Sequence, residues 1–164
     1  MKKHIPNTIT LGNLLSGTIG AIAAVNGNFE IAALSVAIGV VLDFFDGFFA
    51  RMLNVSGELG KELDSLADMV TSGVVPGIVM FSLLQENALS LFEKSADTLH
   101  LASFSTGYLP YFGLLLTLAA CYRLAKFNID TRQTDSFIGL PTPSMALFVI
   151  SLPLIQEYST IEFV

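Results

Sequence analysis

From Asp43 to Asp68 the chain reads DFFDGFFARMLNVSGELGKELDSLAD. Four aspartates stand here in two pairs, Asp43 with Asp46 at i, i+3 and Asp64 with Asp68 at i, i+4. On a helix each pair shares one face. The pairs edge two apolar runs, with the polar stretch Asn54 to Glu62 between them. Two helices joined by a short turn bring both faces together. A carboxylate at the middle of a membrane helix costs roughly 2.5–3.5 kcal/mol, less near the interface, and four close together repel. Too few basic residues lie nearby to compensate by pairing, so divalent cations are the simplest compensation. Oxygen donors without histidine or thiol suit Mg²⁺ or Mn²⁺. Two such ions about 4 Å apart can clamp a phosphoryl group undergoing displacement. Gly47 leaves room for a ligand against the backbone, and Ala50 does so less completely. Taken alone, the pairs fit a solvated helix end, or a proton or ion pathway, as well as a catalytic site.

Outward from this stretch the chain is apolar. Of 164 residues, 52% are hydrophobic and only 13% charged, about half the charged share of a soluble domain. Five candidate spans follow: Ile9 to Val25, Phe29 to Phe49, Leu63 to Leu84, Tyr108 to Ala125, and a short one from Ser144 to Ile155 that contains Pro153. Polar segments Gln85 to Thr106 and Asn128 to Ser136 separate the later ones. The expected fold is all-α, a single polytopic bundle of transmembrane helices, because open sheets leave backbone groups unsatisfied in lipid. With the N-terminus inside, Lys2, Lys3, Arg51, Lys61, Arg123, Lys126 and Arg132 lie in the cytoplasm and only Lys94 outside. This bias sets the orientation. Met-Lys-Lys before an apolar run ending Ala21-Ile22-Ala23-Ala24 also suits a signal peptide, but no exported domain follows, and a retained span is the better reading.

The net charge of −6 reflects acids in or beside apolar segments, and no basic patch suggests nucleic acid. The single cysteine, Cys121, excludes an intrachain disulfide and reads as a small buried helix residue. His4 and His100 receive no role. Phe44-Phe45 and Phe48-Phe49 read as lipid or helix contacts.

The stretch resembles the signature of the CDP-alcohol phosphotransferases, D-x-x-D-G-x-x-A-R, eight residues, G-x-x-x-D-x-x-x-D. Asp43, Asp46, Gly47, Ala50, Arg51, Gly60, Asp64 and Asp68 fill every fixed position. The resemblance implies transfer of a phosphate-linked group from a CDP-linked donor to an alcohol, with release of CMP. It implies that Asp43, Asp46 and Asp64 ligate the metals, and that Asp68 both helps to hold them and takes the acceptor's proton. Gly47 and Ala50 would admit the nucleotide, Gly60 and Asp43 would belong to the same donor site, and Arg51 would lie near the phosphates.

Three further stretches resemble the phosphatidylserine synthase branch: Ile5-Pro6-Asn7-Thr8-Ile9-Thr10 with Asn13-Leu14, Arg123 to Asn128 (RLAKFN), and Phe137 to Pro143 (FIGLPTP). They imply CDP-diacylglycerol as donor, L-serine as acceptor, and a homodimer in the cytoplasmic membrane with its site facing inward. Siblings that use glycerol 3-phosphate or inositol phosphate remain alternatives, as does a divalent-cation transporter outside the class. Arg123 and Lys126 are candidates for the acceptor's carboxylate, for the donor's phosphates, or for interfacial anchors. Asn7 and Thr10 either approach the nucleotide or cap the first helix. Members usually have six or more spans, so five leave a C-terminal helix to be accounted for.

Overall fold

Two helix hairpins form by the same turn chemistry. The first helix, α1 (His4–Val25), ends where Gly27 takes φ 73°. Gly27 N–H then donates to Ala24 O at 3.1 Å and Asn28 N–H to Ala23 O at 2.9 Å. This paired pattern satisfies carbonyls that a helix end leaves orphaned. Asn28 next caps α2 (Phe29–Met52), its Oδ1 accepting from Ile31 N–H at 3.1 Å. At the far end of α2, Asn54 takes the left-handed position with φ 51°. Asn54 N–H donates to Arg51 O at 3.2 Å and Val55 N–H to Ala50 O at 3.1 Å, repeating the motif with asparagine in place of glycine.

The chain re-enters a helix at α3 (Glu58–Asp68), runs through a π-helical segment (Met69–Val74), and continues as α4 (Val75–Lys94). Val75 N–H reaches back to Val70 O, five residues away. The widening has a cause in the sequence. Pro76 has no N–H to donate, and its ring would clash with the carbonyl four residues earlier in a regular helix. A 3₁₀ segment (Leu109–Leu114) leads into α5 (Leu115–Ile129), and α6 is Thr142–Tyr158.

The computed structural model describes residues 4–55, 57–94, 107–129 and 140–158, with side chains 88–94 left aside. Lys2, Lys3, Arg132, Asp97, His100 and Phe137 to Gly139, together with the side chains of Glu93 and Lys94, lie outside the described set. Among the described residues every regular element is helical, as expected. Four helical stretches among those residues are long and apolar enough to cross a bilayer: His4–Val25, Phe29–Met52, Glu58–Asn87 and Leu109–Ile129. The third begins earlier than its hydropathy suggests. Gly57 is its extended N-cap, and Glu58 sits favourably in the first turn. The fifth apolar stretch folds as α6, whose 17 residues reach about 25 Å, short of a bilayer's roughly 30 Å. Part of the polar segment after Leu84 is also helical, to Lys94.

The packing suits lipid. Ala24, Ala32, Val36, Val75, Val79, Ala146 and Ile150, from α1, α2, α4 and α6, form the buried core. The large residues Leu15, Ile22, Leu34, Phe44 and Phe148 face outward. Membrane helices associate through small residues and interhelical hydrogen bonds, because lipid supplies no drive to bury leucine. Gly39 shows how close the approach is. A Cβ there would lie 2.5 Å from Thr71 Cγ2 and 2.8 Å from Asn13 Oδ1. Ser16 Oγ donates to Ser35 O at 2.7 Å, and Thr117 Oγ1 to Gly73 O at 3.0 Å. Cys121 corrects an expectation, since it is exposed on α5. Only a narrow strip of α5 is covered by protein, with Ala120 as its buried residue.

Candidate active site

The α2–α3 hairpin brings the two aspartate pairs together. Asp43, Asp46 and Asp64 each offer a carboxylate oxygen within 4.8 Å of the others. Asp46 is buried and accepts from Thr10 Oγ1 at 2.5 Å. Asp68, one turn beyond Asp64, is held differently: Asn13 Nδ2 donates to its Oδ1 at 3.3 Å. Asn13 is fully buried, and its own Oδ1 accepts from Thr71 Oγ1 at 2.8 Å. The threonine comes from the π segment, so the proline-induced widening supplies the hydroxyl that orients this amide.

One oxygen stands out. Asp64 Oδ1 is buried and has no hydrogen-bond partner among the described residues. A buried carboxylate oxygen left in this state is costly, and here it belongs to a cluster of three carboxylates. A hard divalent cation satisfies both the oxygen and the mutual repulsion, so these residues fit such an ion.

Two cavities flank the cluster. The first, about 200 Å³, is lined by Asn7, Thr10, Asp46, Gly47, Ala50, Gly60, Lys61 and Asp64, with Pro6, Val55 and Gly57. Five residues expected at a donor site, Asn7, Thr10, Gly47, Ala50 and Gly60, thus share one chamber. Asn7 and Thr10 lie within α1 rather than at its cap. The second cavity, about 240 Å³, is lined by Asp43, Lys61, Asp64, Ser65, Asp68, Arg123, Leu124, Phe127, Asn128, Pro141, Thr142 and Pro143. Asp64 and Lys61 belong to both walls.

Some expected residues lie apart: Asp43, expected at the donor site as well, lines the second cavity and not the first. Arg51 is exposed, with Nε donating to Gly47 O at 3.1 Å, and lines neither cavity. Arg123 is half-buried in the second cavity, whereas Lys126 is exposed and lines neither. Residue-level reading passed over Lys61, Ser65, Asn128 and Thr142. A signal existed for the first two: Lys61, Ser65 and Asp68 continue the stripe of Asp64 at helical spacing. Asn128 and Thr142 stand in quoted motifs but had no role there. Only packing reveals that Lys61 Nζ donates to Asn128 O at 2.9 Å, and that Asn128 Nδ2 donates to Ser65 Oγ at 2.9 Å.

A bundle of apolar helices with a carboxylate cluster lining two cavities defines a helical membrane protein with a group of acids able to hold a metal ion. The family model for CDP-alcohol phosphatidyltransferase matches residues 3–163, and the chain belongs to that family. Among curated proteins it is 36% identical over 154 residues to a CDP-diacylglycerol–serine O-phosphatidyltransferase of Bacillus subtilis, covering 90% of this chain and 75% of that one. It is 31% identical to the protein of the same name from Helicobacter pylori strain J99, covering 93% of this chain and 58% of the relative. An archaetidylserine synthase of Methanothermobacter thermautotrophicus is 27% identical, over 96% of this chain and 61% of its own. The chain thus spans between about three fifths and three quarters of these relatives. No solved structure matches it.

Proposed function

We propose that the protein transfers the phosphatidyl group of CDP-diacylglycerol to L-serine, giving phosphatidylserine and CMP. The observation that carries the reading is the pair of cavities sharing Asp64, with the carboxylate cluster between them. A displacement at phosphorus needs donor and acceptor in line across the reacting centre, and two cavities that share Asp64 support that reading. The names of the relatives support the two substrates.

In this reading the first cavity takes the donor. Gly47, Ala50 and Gly60 leave room for the nucleotide along the helices, and Asn7 and Thr10 offer polar contacts. Arg51 reaches its phosphates by unfolding from Gly47. Asp43, Asp46 and Asp64, with Asp68 assisting, hold Mg²⁺ or Mn²⁺, two ions in all, which would neutralise the pyrophosphate and stabilise the leaving group. The serine enters the second cavity, where Asp68 accepts the proton of its hydroxyl. The hydroxyl oxygen forms a bond to the phosphorus that carries diacylglycerol, the bond to CMP breaks, and CMP leaves. Arg123 provides positive charge toward the acceptor; Lys126 serves the interface.

The proposal places a single-domain protein in the cytoplasmic membrane as a homodimer, its N-terminus and site facing the cytoplasm. The basic-residue distribution supports the orientation, and the family resemblance supports the dimer. The test is an assay of purified protein with CDP-diacylglycerol, a divalent ion and a panel of alcohols. The expected outcome is phosphatidylserine and CMP from L-serine. Product from glycerol 3-phosphate or inositol phosphate, with none from serine, would move the protein to a sibling activity. Ion flux without CMP release would make it a transporter.

A further inference from the structure

We propose that Lys61 determines acceptor specificity, its ammonium recognising the carboxylate of an amino-acid acceptor in the second cavity. The inference rests on the serine reading above and names a residue that the family signature leaves unspecified.

Three observations carry it. Lys61, Asp64, Ser65 and Asp68 stand at i, i+3, i+4 and i+7 on α3, so the lysine shares the face that presents the carboxylates. Its Nζ is anchored to Asn128 O at 2.9 Å. Asn128 walls the second cavity and not the first, so the anchor draws the ammonium to the acceptor side. One of its three N–H groups is engaged there, and two remain for a ligand. Finally, three aspartates line this chamber, with Arg123 and Lys61 as its cationic side chains. A carboxylate entering among Asp43, Asp64 and Asp68 needs opposite charge beside it.

The dimensions agree. Lys61 and Asp68 are seven positions apart on α3, roughly 10 Å along the helix axis. That interval leaves room for an acceptor the size of serine between the two residues. Bound in this way, serine's carboxylate lies toward Lys61 and its hydroxyl toward Asp68. Ethanolamine has the same hydroxyl and amine but no carboxylate, so it makes no use of Lys61.

The experiment compares wild-type protein, Lys61→Gln and Lys61→Arg in liposomes with CDP-diacylglycerol and Mn²⁺, using L-serine and ethanolamine as acceptors. Lys61→Gln should raise the KM for serine about tenfold or more, as loss of a charged hydrogen bond implies. The KM for CDP-diacylglycerol, and any turnover that ethanolamine gives, should stay within about twofold. Lys61→Arg should recover much of the serine affinity. An equal fall for serine and ethanolamine would reduce Lys61 to a support for the end of α5, and a raised donor KM would assign it to the pyrophosphate; either overturns the proposal. Should Lys61→Gln fold poorly, as judged by its melting temperature, the Lys61→Arg variant decides: serine affinity lost in a stable protein, with no recovery by the retained charge, rejects the inference. Wild-type protein that makes no phosphatidylserine would refute the serine reading itself, before any variant is compared.

Discussion

The four aspartates share one residue type but occupy different surroundings, and in the proposed reaction those surroundings divide their tasks. Asp43, Asp46 and Asp64 converge on one another, whereas Asp68 is tethered to Asn13 and faces the second cavity. Replacing Asp64 with asparagine is expected to cost divalent-ion binding, donor affinity and turnover together. Asp68→Asn is expected to behave differently. Asparagine is nearly isosteric but accepts no proton at neutral pH, so turnover should fall by about 10²–10⁴-fold. Donor affinity should largely survive, because the other three carboxylates are intact. Measuring CDP-diacylglycerol binding beside turnover separates the two. A proportional loss of both in Asp68→Asn would make it chiefly a ligand and place the base elsewhere.

At the scale of elements, α1 and α2 meet so closely that they also govern the site. Gly39 lies against Thr71 and Asn13, the pair that orients the amide contacting Asp68. An alanine methyl has no room there, and overpacking of this kind costs about 1–3 kcal/mol. Gly39→Ala should therefore lower the melting temperature in detergent and slow turnover by displacing Asn13. Gly12→Ala is the control, since a Cβ there meets only Leu42 Cδ1 at 3.5 Å, an ordinary contact. Equal melting temperatures for the two variants would show that α1 and α2 adjust freely, against the packing described. The π segment belongs to the same scale. A regular helix through Pro76 would carry Thr71 to another angle, away from Asn13.

For the molecule as a whole, the issue is which end of the bundle faces the cytoplasm. In the proposed orientation, which the positive-inside pattern supports, the α2–α3 turn lies inside and the end of α4 outside. With Cys121 replaced, a cysteine at Gln85 should react with an impermeant thiol reagent applied to intact cells, and one at Asn54 should not. Equal labelling would overturn the orientation and, with it, the cytoplasmic placement of the site. Replacing Cys121 first is necessary because its exposure lets it react wherever reagent reaches it. The apolar exterior formed by Leu15, Leu34 and Phe148 keeps the bundle in lipid whichever way it is inserted.

Much of this was local enough to be read along the chain. Helix type, approximate spans and the aspartate stripe follow from hydropathy and from the 3.6-residue period, which act over one or two turns. The signature between Asp43 and Asp68 is contiguous, so its match to the family needed no folding. Three features required the tertiary structure. Helix ends depend on caps such as Gly57, which hydropathy does not register, and α3 therefore starts at Glu58 rather than Leu63. Cys121 faces outward because α5 meets its neighbours along a narrow strip, a matter of rotation about the helix axis that the mostly apolar run around it leaves open. The second cavity is built from α2, α3, α5 and the start of α6, and its choice of Lys61 over Lys126 depends on how α5 docks. Side chains far apart in the sequence acquire a common purpose only when packing brings them together, as the contacts of Asn128 with Lys61 and Ser65 show.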